Sequence, residues 1–367
     1  MTTSNEMDYA QHVEDFSGLV TPDFAPLADF AGFRGYEAVA VHETSRDLAP
    51  LMEMVTADIS GYLASRPEST ALLTGSGSEI DASLIREWLD RTAAGPFDGE
   101  LSAFLREITH LPDSQVTFPG MRVPLPPQML LALIAWVQGK VLEALGDTCD
   151  VVNVSAAGGA WMTQFMLQLG IMLEPQLTAP DAPQGQHQSA GFHPYAELAG
   201  LGVRQQRILR KTGPLLEPAG GGVVAMAYDY LLSRPESAGY FQDATHLAMR
   251  KQTLKGWWAR STTRPMDEKF HSYMSRVADA HVNGGGQSPH VVIPPELTIA
   301  LMGWVQMRVM AALNTIAPDH EGGYIFGTMP EPPEIALIGA AWMQMLTLQL
   351  GILLKPNLPA PSPADNT

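Results

Sequence analysis

The sequence predicts an all-α protein built from two similar helical domains in tandem. Three observations carry that expectation: an internal repeat, apolar residues at helical spacing, and a composition with much to bury and little to solvate. Residues 62–69 read Tyr-Leu-Ala-Ser-Arg-Pro-Glu-Ser and residues 230–237 read Tyr-Leu-Leu-Ser-Arg-Pro-Glu-Ser, a shift of 168 positions with one difference. The same shift carries Pro126-Pro127 onto Pro294-Pro295 and Trp136-Val137-Gln138 onto Trp304-Val305-Gln306. Trp161-Met162 and Leu167–Ile171 return as Trp342-Met343 and Leu348–Ile352, now displaced by 181, so the second copy has 13 more residues in the loop around Asn314–Pro333. The implied boundaries are a first domain over 1–174, a Pro/Gln-rich linker over 175–195, a second domain over 196–355 and a flexible tail over 356–367.

The 367 residues suit two cores of ~150–180 residues each. With 46% hydrophobic and 17% charged residues, the chain is no disordered, collagenous or coiled-coil protein. Its net charge of −17, from 22 basic and 39 acidic residues, repels phosphate backbones and anionic lipid, which argues against nucleic-acid partners. The single cysteine, Cys149, permits no intramolecular disulfide, and the first residues have neither a basic nor an apolar leader pattern. A reducing cytoplasm is the expected compartment.

Apolar periodicity predicts helices near 45–65, 80–94, 98–110, 127–146 and 153–173 in the first copy. In the second it predicts them near 199–211, 219–233, 240–262, 267–282, 294–314 and 334–354. Each double proline falls in the first turn of a long helix, where a missing N–H costs nothing. The last helix of each copy, Val151–Leu173 and Ile335–Leu354, is uncharged for long enough to span a bilayer. Their Asn, Ser, Thr and Gln residues and the lack of flanking basic clusters argue instead for burial in a bundle. Together with the Trp136- and Trp304-bearing helices, they are expected to pack as an intramolecular four-helix bundle.

These motifs, in their order along the chain, resemble the sensor-globin and protoglobin family. In the second copy, Leu209–Leu216 leads into Ala227-Tyr228-Asp229-Tyr230-Leu231-Leu232 and Ser233-Arg234-Pro235-Glu236, which is similar to the family's distal helix. Tyr273 and Arg276-Val277-Ala278-Asp279-Ala280-His281 resemble its proximal helix, with Ala278 where the family has glycine. Tryptophan followed seven residues later by glutamine, as in Trp161/Gln168 and Trp342/Gln349, also fits. In the first copy Ser60 falls where the second has Tyr228, and Phe104–His110 needs a short gap to bring His110 onto His281. The resemblance implies two globin-like helical domains in tandem, packed as a pseudo-dimer around haem b, one or two per chain.

A globin-type haem needs an imidazole on one axial face, and His281 and His110 are the candidate iron ligands. Either could instead be a surface histidine favoured by a helix C-terminus. A phenol on the opposite face can donate to bound oxygen, and Tyr228 is the candidate, its alternative being a core tyrosine. Tyr62 and Tyr230 lie two positions further along, roughly 200° around the helix, and read as packing residues. The other histidines have no paired metal-ligand spacing, so no zinc site is expected. Ala219–Val223 lacks the ending of a phosphate loop, and Thr74–Ser78 has no nucleophile-elbow setting. The 19 methionines read as core filler.

The resulting expectation is a haem protein that binds a diatomic gas (oxygen, nitric oxide or carbon monoxide), with a sensing role that would need a protein signalling partner. Two alternatives stay open: a haem-dependent enzyme using oxygen or peroxide on a small molecule, and a haem-free globin-like scaffold.

Overall fold

The computed structural model describes residues 25–65, 80–177, 192–241, 244–264, 267–283, 293–314, 316–318, 324–326 and 330–358. The first half contains α1 (Ala25–Ala31), α2 (Gly35–Ser65), α3 (Ala82–Ala94), α4 (Gly99–Thr109), α5 (Pro127–Thr148) and α6 (Val151–Leu173). The second contains α7 (Phe192–Leu198), α8 (Val203–Leu216), α9 (Gly220–Ser233), the single turn α10 (Pro235–Ala238), α11 (Ala244–Thr263), α12 (Glu268–Asn283), α13 (Pro295–Leu313) and α14 (Pro332–Leu354). The fold is all-α. Its described strands, β1 (Ile316–Pro318) and β2 (Tyr324–Phe326), pair antiparallel within the 13-residue insertion.

The longer helices of the two halves follow in the same order, and their differences have local causes. The 31-residue α2 corresponds to α8 and α9 together, which a 3-10 turn at Glu217–Ala219 separates. Both copies have a proline at this point, Pro50 and Pro218. Only the second follows it with Gly220-Gly221-Gly222, whose poor helix propensity turns a tolerated proline into a break. Sequence periodicity places the start of α2 near 45, but the helix begins at Gly35, where buried Ala38, Val39 and Val41 extend the inner face. The short α1 and α7 go beyond the helices that periodicity predicts. Each ends on a glycine at positive φ, Gly32 (φ 76°) and Gly200 (φ 79°), a conformation that suits glycine. The expected linker overlaps the start of α7, while 178–191 lie outside the described residues, as do 1–24 and 359–367. Lys355–Asn357 form a 3-10 turn and Leu358 is buried, so the first part of the expected tail packs on the core.

At the centre, α5 packs along α14 and α6 along α13, more extensively than α5 packs on α6 or α13 on α14. Close approach is built in. A Cβ at Gly158 would stand 2.7 Å from Leu142, and one at Gly339 would stand 2.7 Å from Met310. Those four residues are themselves two repeat-related pairs. Among the described residues, three helices (Pro127–Thr148, Pro295–Leu313 and the helix starting at Pro332) are long and apolar enough to cross a membrane. In this fold the first and third are largely covered by the surrounding helices, and Pro295–Leu313 is covered over about half.

Inside the bundle sits one closed polar ring. Gln138 Nε2 donates to Gln306 Oε1 (3.4 Å), Gln306 Nε2 to Thr347 Oγ1 (2.8 Å), and Thr347 Oγ1 to Gln138 Oε1 (2.8 Å). All three side chains are fully buried, so each bond satisfies a group that water cannot reach.

Candidate functional site

The Trp–Gln spacing on each last helix has a direct structural role. Seven residues are nearly two helical turns, so both side chains face the same way, into their own half. Trp161 Nε1 donates to Thr44 Oγ1 and Trp342 Nε1 to Thr212 Oγ1, each at 3.0 Å. Gln168 Oε1 accepts from Trp88 Nε1 (2.7 Å), and Gln349 Oε1 from Trp257 Nε1 (2.6 Å). A small hydroxyl completes each amide's surroundings: Thr92 exchanges bonds with Gln168, and Ser261 donates to Gln349 at 3.2 Å. The last helix is thus tied to two others in both halves by the same chemistry. Sequence reading missed Trp88, Trp257, Thr44 and Thr212. The signal was present, since Thr44/Thr212 and Trp88/Trp257 are 168 and 169 positions apart.

Tyr228 lies on the inner face of α9 and is buried. Phe241 meets its ring edge-on at 5.5 Å and Lys251 Nζ lies 5.7 Å from the ring centre. Its hydroxyl has no hydrogen-bond partner among the described residues. Burial pushes its pKa up to about 12, with Arg250 opposing only weakly, so the phenol stays a neutral donor through the physiological range. Ser60, its counterpart on α2, turns back on its own helix and donates to the Thr56 carbonyl at 2.9 Å.

His281 is on the last turns of α12. Among the described side chains of this helix Phe270, Met274 and Ala278 are buried, and by helical register position 281 falls on the face marked by 274 and 278. The His281 side chain is outside the described residues. His110 caps α4. Its Nε2 is 2.9 Å from the carbonyl of Ile171 on α6, and its backbone bridges to Val116. Among the described residues no cluster of His, Cys, Asp or Glu could hold a metal ion.

Tyr62 and Tyr230 do more than pack, because each reaches into the opposite half. Tyr62 donates to the carbonyls of Glu197 (3.1 Å) and Leu198 (2.7 Å) at the end of α7. Tyr230 donates to those of Asp29 and Phe30 (2.8 Å) at the end of α1. Donors and acceptors are both related by the 168-residue shift. Each ring also stacks on a tryptophan, Tyr62 on Trp136 at 4.2 Å and Tyr230 on Trp304 at 5.8 Å. Arg234 adds an ion pair to Asp29.

Residues 189–358, the half that carries Tyr228 and His281, match the family model for protoglobin. This half of the chain belongs to the protoglobin family. A comparison with curated proteins and one with solved structures each gave no match. Protoglobins are haem-binding globins, and the match supports a globin-type domain in this half at the level of the family. The residues present suit that group: α12 offers an apolar face with a histidine in register, and α9 holds a buried phenol with no protein partner.

Proposed function

We propose that the chain is a haem protein that binds a diatomic gas, built from two tandem globin-like domains that pair within one molecule as a pseudo-dimer. His281 is the proximal iron ligand. Tyr228 would supply the distal donor, its phenol neutral and protonated. When bound, haem supplies the ferrous iron at which oxygen, nitric oxide or carbon monoxide ligates reversibly. The protein's part is to fix the imidazole, exclude water with the apolar faces of α9 and α12, and offer one hydrogen bond from the phenol.

The observation that carries this reading is the match of residues 189–358 to the protoglobin model, in a half where Tyr228 offers a neutral phenol that no described protein group engages. The pseudo-dimer reading rests on the mirrored contacts of Tyr62 and Tyr230 and on the cross-packing of α5 with α14 and α6 with α13. One half takes the place that a second protomer would fill around a two-fold axis. The single free cysteine, half-buried Cys149, fits a cytoplasmic setting.

The test is an absorption spectrum of the intact chain after haem reconstitution and reduction. A Soret band that shifts with carbon monoxide is expected, and His281→Ala should abolish it or restore it only with added imidazole. No Soret band in the unaltered chain would contradict the reading.

A further inference from the structure

We infer that haem is confined to the second half, one per chain, and that the first half is a closed globin-like fold whose interior is filled by its own aromatic side chains. The inference rests on the haem reading above and adds its location and count. Four buried rings meet where the first half's helices converge. Trp88 on α3 contacts Phe118 edge-on at 5.5 Å and Phe165 at 5.9 Å, and Phe165 contacts Trp161 at 5.8 Å. None of the four has measurable exposure. Interiors are close-packed, and rings in mutual contact leave no slot between them for a macrocycle.

The loop that carries Phe118 is tied down on both sides, so its backbone holds the ring at this place. Thr117 N donates to the Thr109 carbonyl (2.8 Å) and Thr117 Oγ1 to that of Val123 (2.7 Å). Asp81 N donates to the carbonyl of Gly120 (2.8 Å). One axial candidate is restrained as well. A carbonyl can only accept, so the contact of His110 Nε2 with Ile171 O requires a proton on Nε2, which ties that nitrogen to α6 and leaves only Nδ1 with a lone pair. Ser60 spends its hydroxyl on its own helix.

The second half keeps two of these rings, as buried Trp257 and Trp342, and differs at two other places. Leu346 stands where the first half has Phe165, and Tyr228 where it has Ser60. Its α11 is 20 residues long against 13 for α3, and α12 is 16 against 11 for α4. The first half's task is then to supply α5, α6 and the Tyr62 contact, completing the assembly that holds the haem-bearing half.

The test counts haem in the full chain, reconstituted with excess haemin under reducing conditions and freed of unbound cofactor, by pyridine haemochrome absorbance against protein concentration. One haem per chain is expected. His110→Ala should leave the count at one, and His281→Ala should take it close to zero. Two haems per chain, or a haem lost from His110→Ala and kept in His281→Ala, would overturn the inference while leaving the haem reading intact. No haem in the unaltered chain would overturn both. Should His110→Ala fail to fold, resonance Raman of the unaltered ferrous protein decides. A single iron–histidine stretching band that His281→Ala removes supports one site, and two bands contradict it.

Discussion

The two halves share a frame and differ in what the frame encloses. Both tie their last helix to two others through a Trp-to-Thr and a Trp-to-Gln hydrogen bond, and both reach across to the other half with a tyrosine on a pair of carbonyls. The differences are internal. Phe165 faces Trp88 in the first half where the second has Leu346, and Ser60 is self-satisfied where Tyr228 has a free hydroxyl. Polar bonds that hold helices together have been kept in both copies, while Phe165 and Ser60 have counterparts of different size and chemistry, Leu346 and Tyr228. Scaffold and function are therefore carried by separate sets of residues, and each set can be tested separately.

The largest effect is expected from emptying the filled interior. Phe118→Ala should lower the unfolding free energy by about 3–5 kcal/mol, the usual cost of removing a fully buried ring. Denaturant titration of the haem-free and haem-loaded protein should show the same loss in both states if the first half takes no cofactor. A loss confined to the loaded form would mean that haem sits in the first half.

Next comes an alkaline effect in the second half. Tyr228 titrates at about 12 in the folded chain against an ordinary value near 10. Between those values the unfolded chain has released a proton that the native chain retains, so stability present below pH 10 is lost as the pH rises to 12. The full contribution is about 2–3 kcal/mol. Tyr228→Phe should flatten this part of the pH–stability curve, measured by denaturant midpoints. An unchanged curve would place the phenol in water.

A smaller effect should come from the polar ring that joins the halves. Thr347→Val keeps the shape of the side chain but removes the hydroxyl that accepts from Gln306 and donates to Gln138. Two buried amide groups lose a partner, at a cost of about 2 kcal/mol. Helix content by circular dichroism should not change. A neutral outcome would mean that the ring contributes nothing to joining the halves.

Much of this frame is legible in the amino-acid sequence. The 168- and 181-residue shifts identify the long helices, and their uncharged faces imply a central bundle. Features that depend on tertiary partners are not legible there. Seven-residue α1 and α7 are too short for apolar periodicity to register, and they are held by Trp304, Trp136 and the two cross-half tyrosines rather than by intrinsic propensity. Tyr62 and Tyr230 read as packing residues because helical geometry says where a side chain points, but not which carbonyls lie beyond it. His110 matches His281 as the next histidine along a helix, while the Ile171 carbonyl that engages its ring lies 61 residues away. Sequence order can nominate the site residues, but the partner of each polar atom comes only from the fold.

The asymmetry between the halves is tested most directly by oxygen release from the reduced, oxygenated full-length protein, followed by stopped flow. A single exponential is expected, since only one half holds haem. Tyr228→Phe should accelerate all of it by about tenfold, the equivalent of one hydrogen bond worth about 1.4 kcal/mol. Two phases of comparable amplitude, one of them indifferent to Tyr228→Phe, would contradict the account.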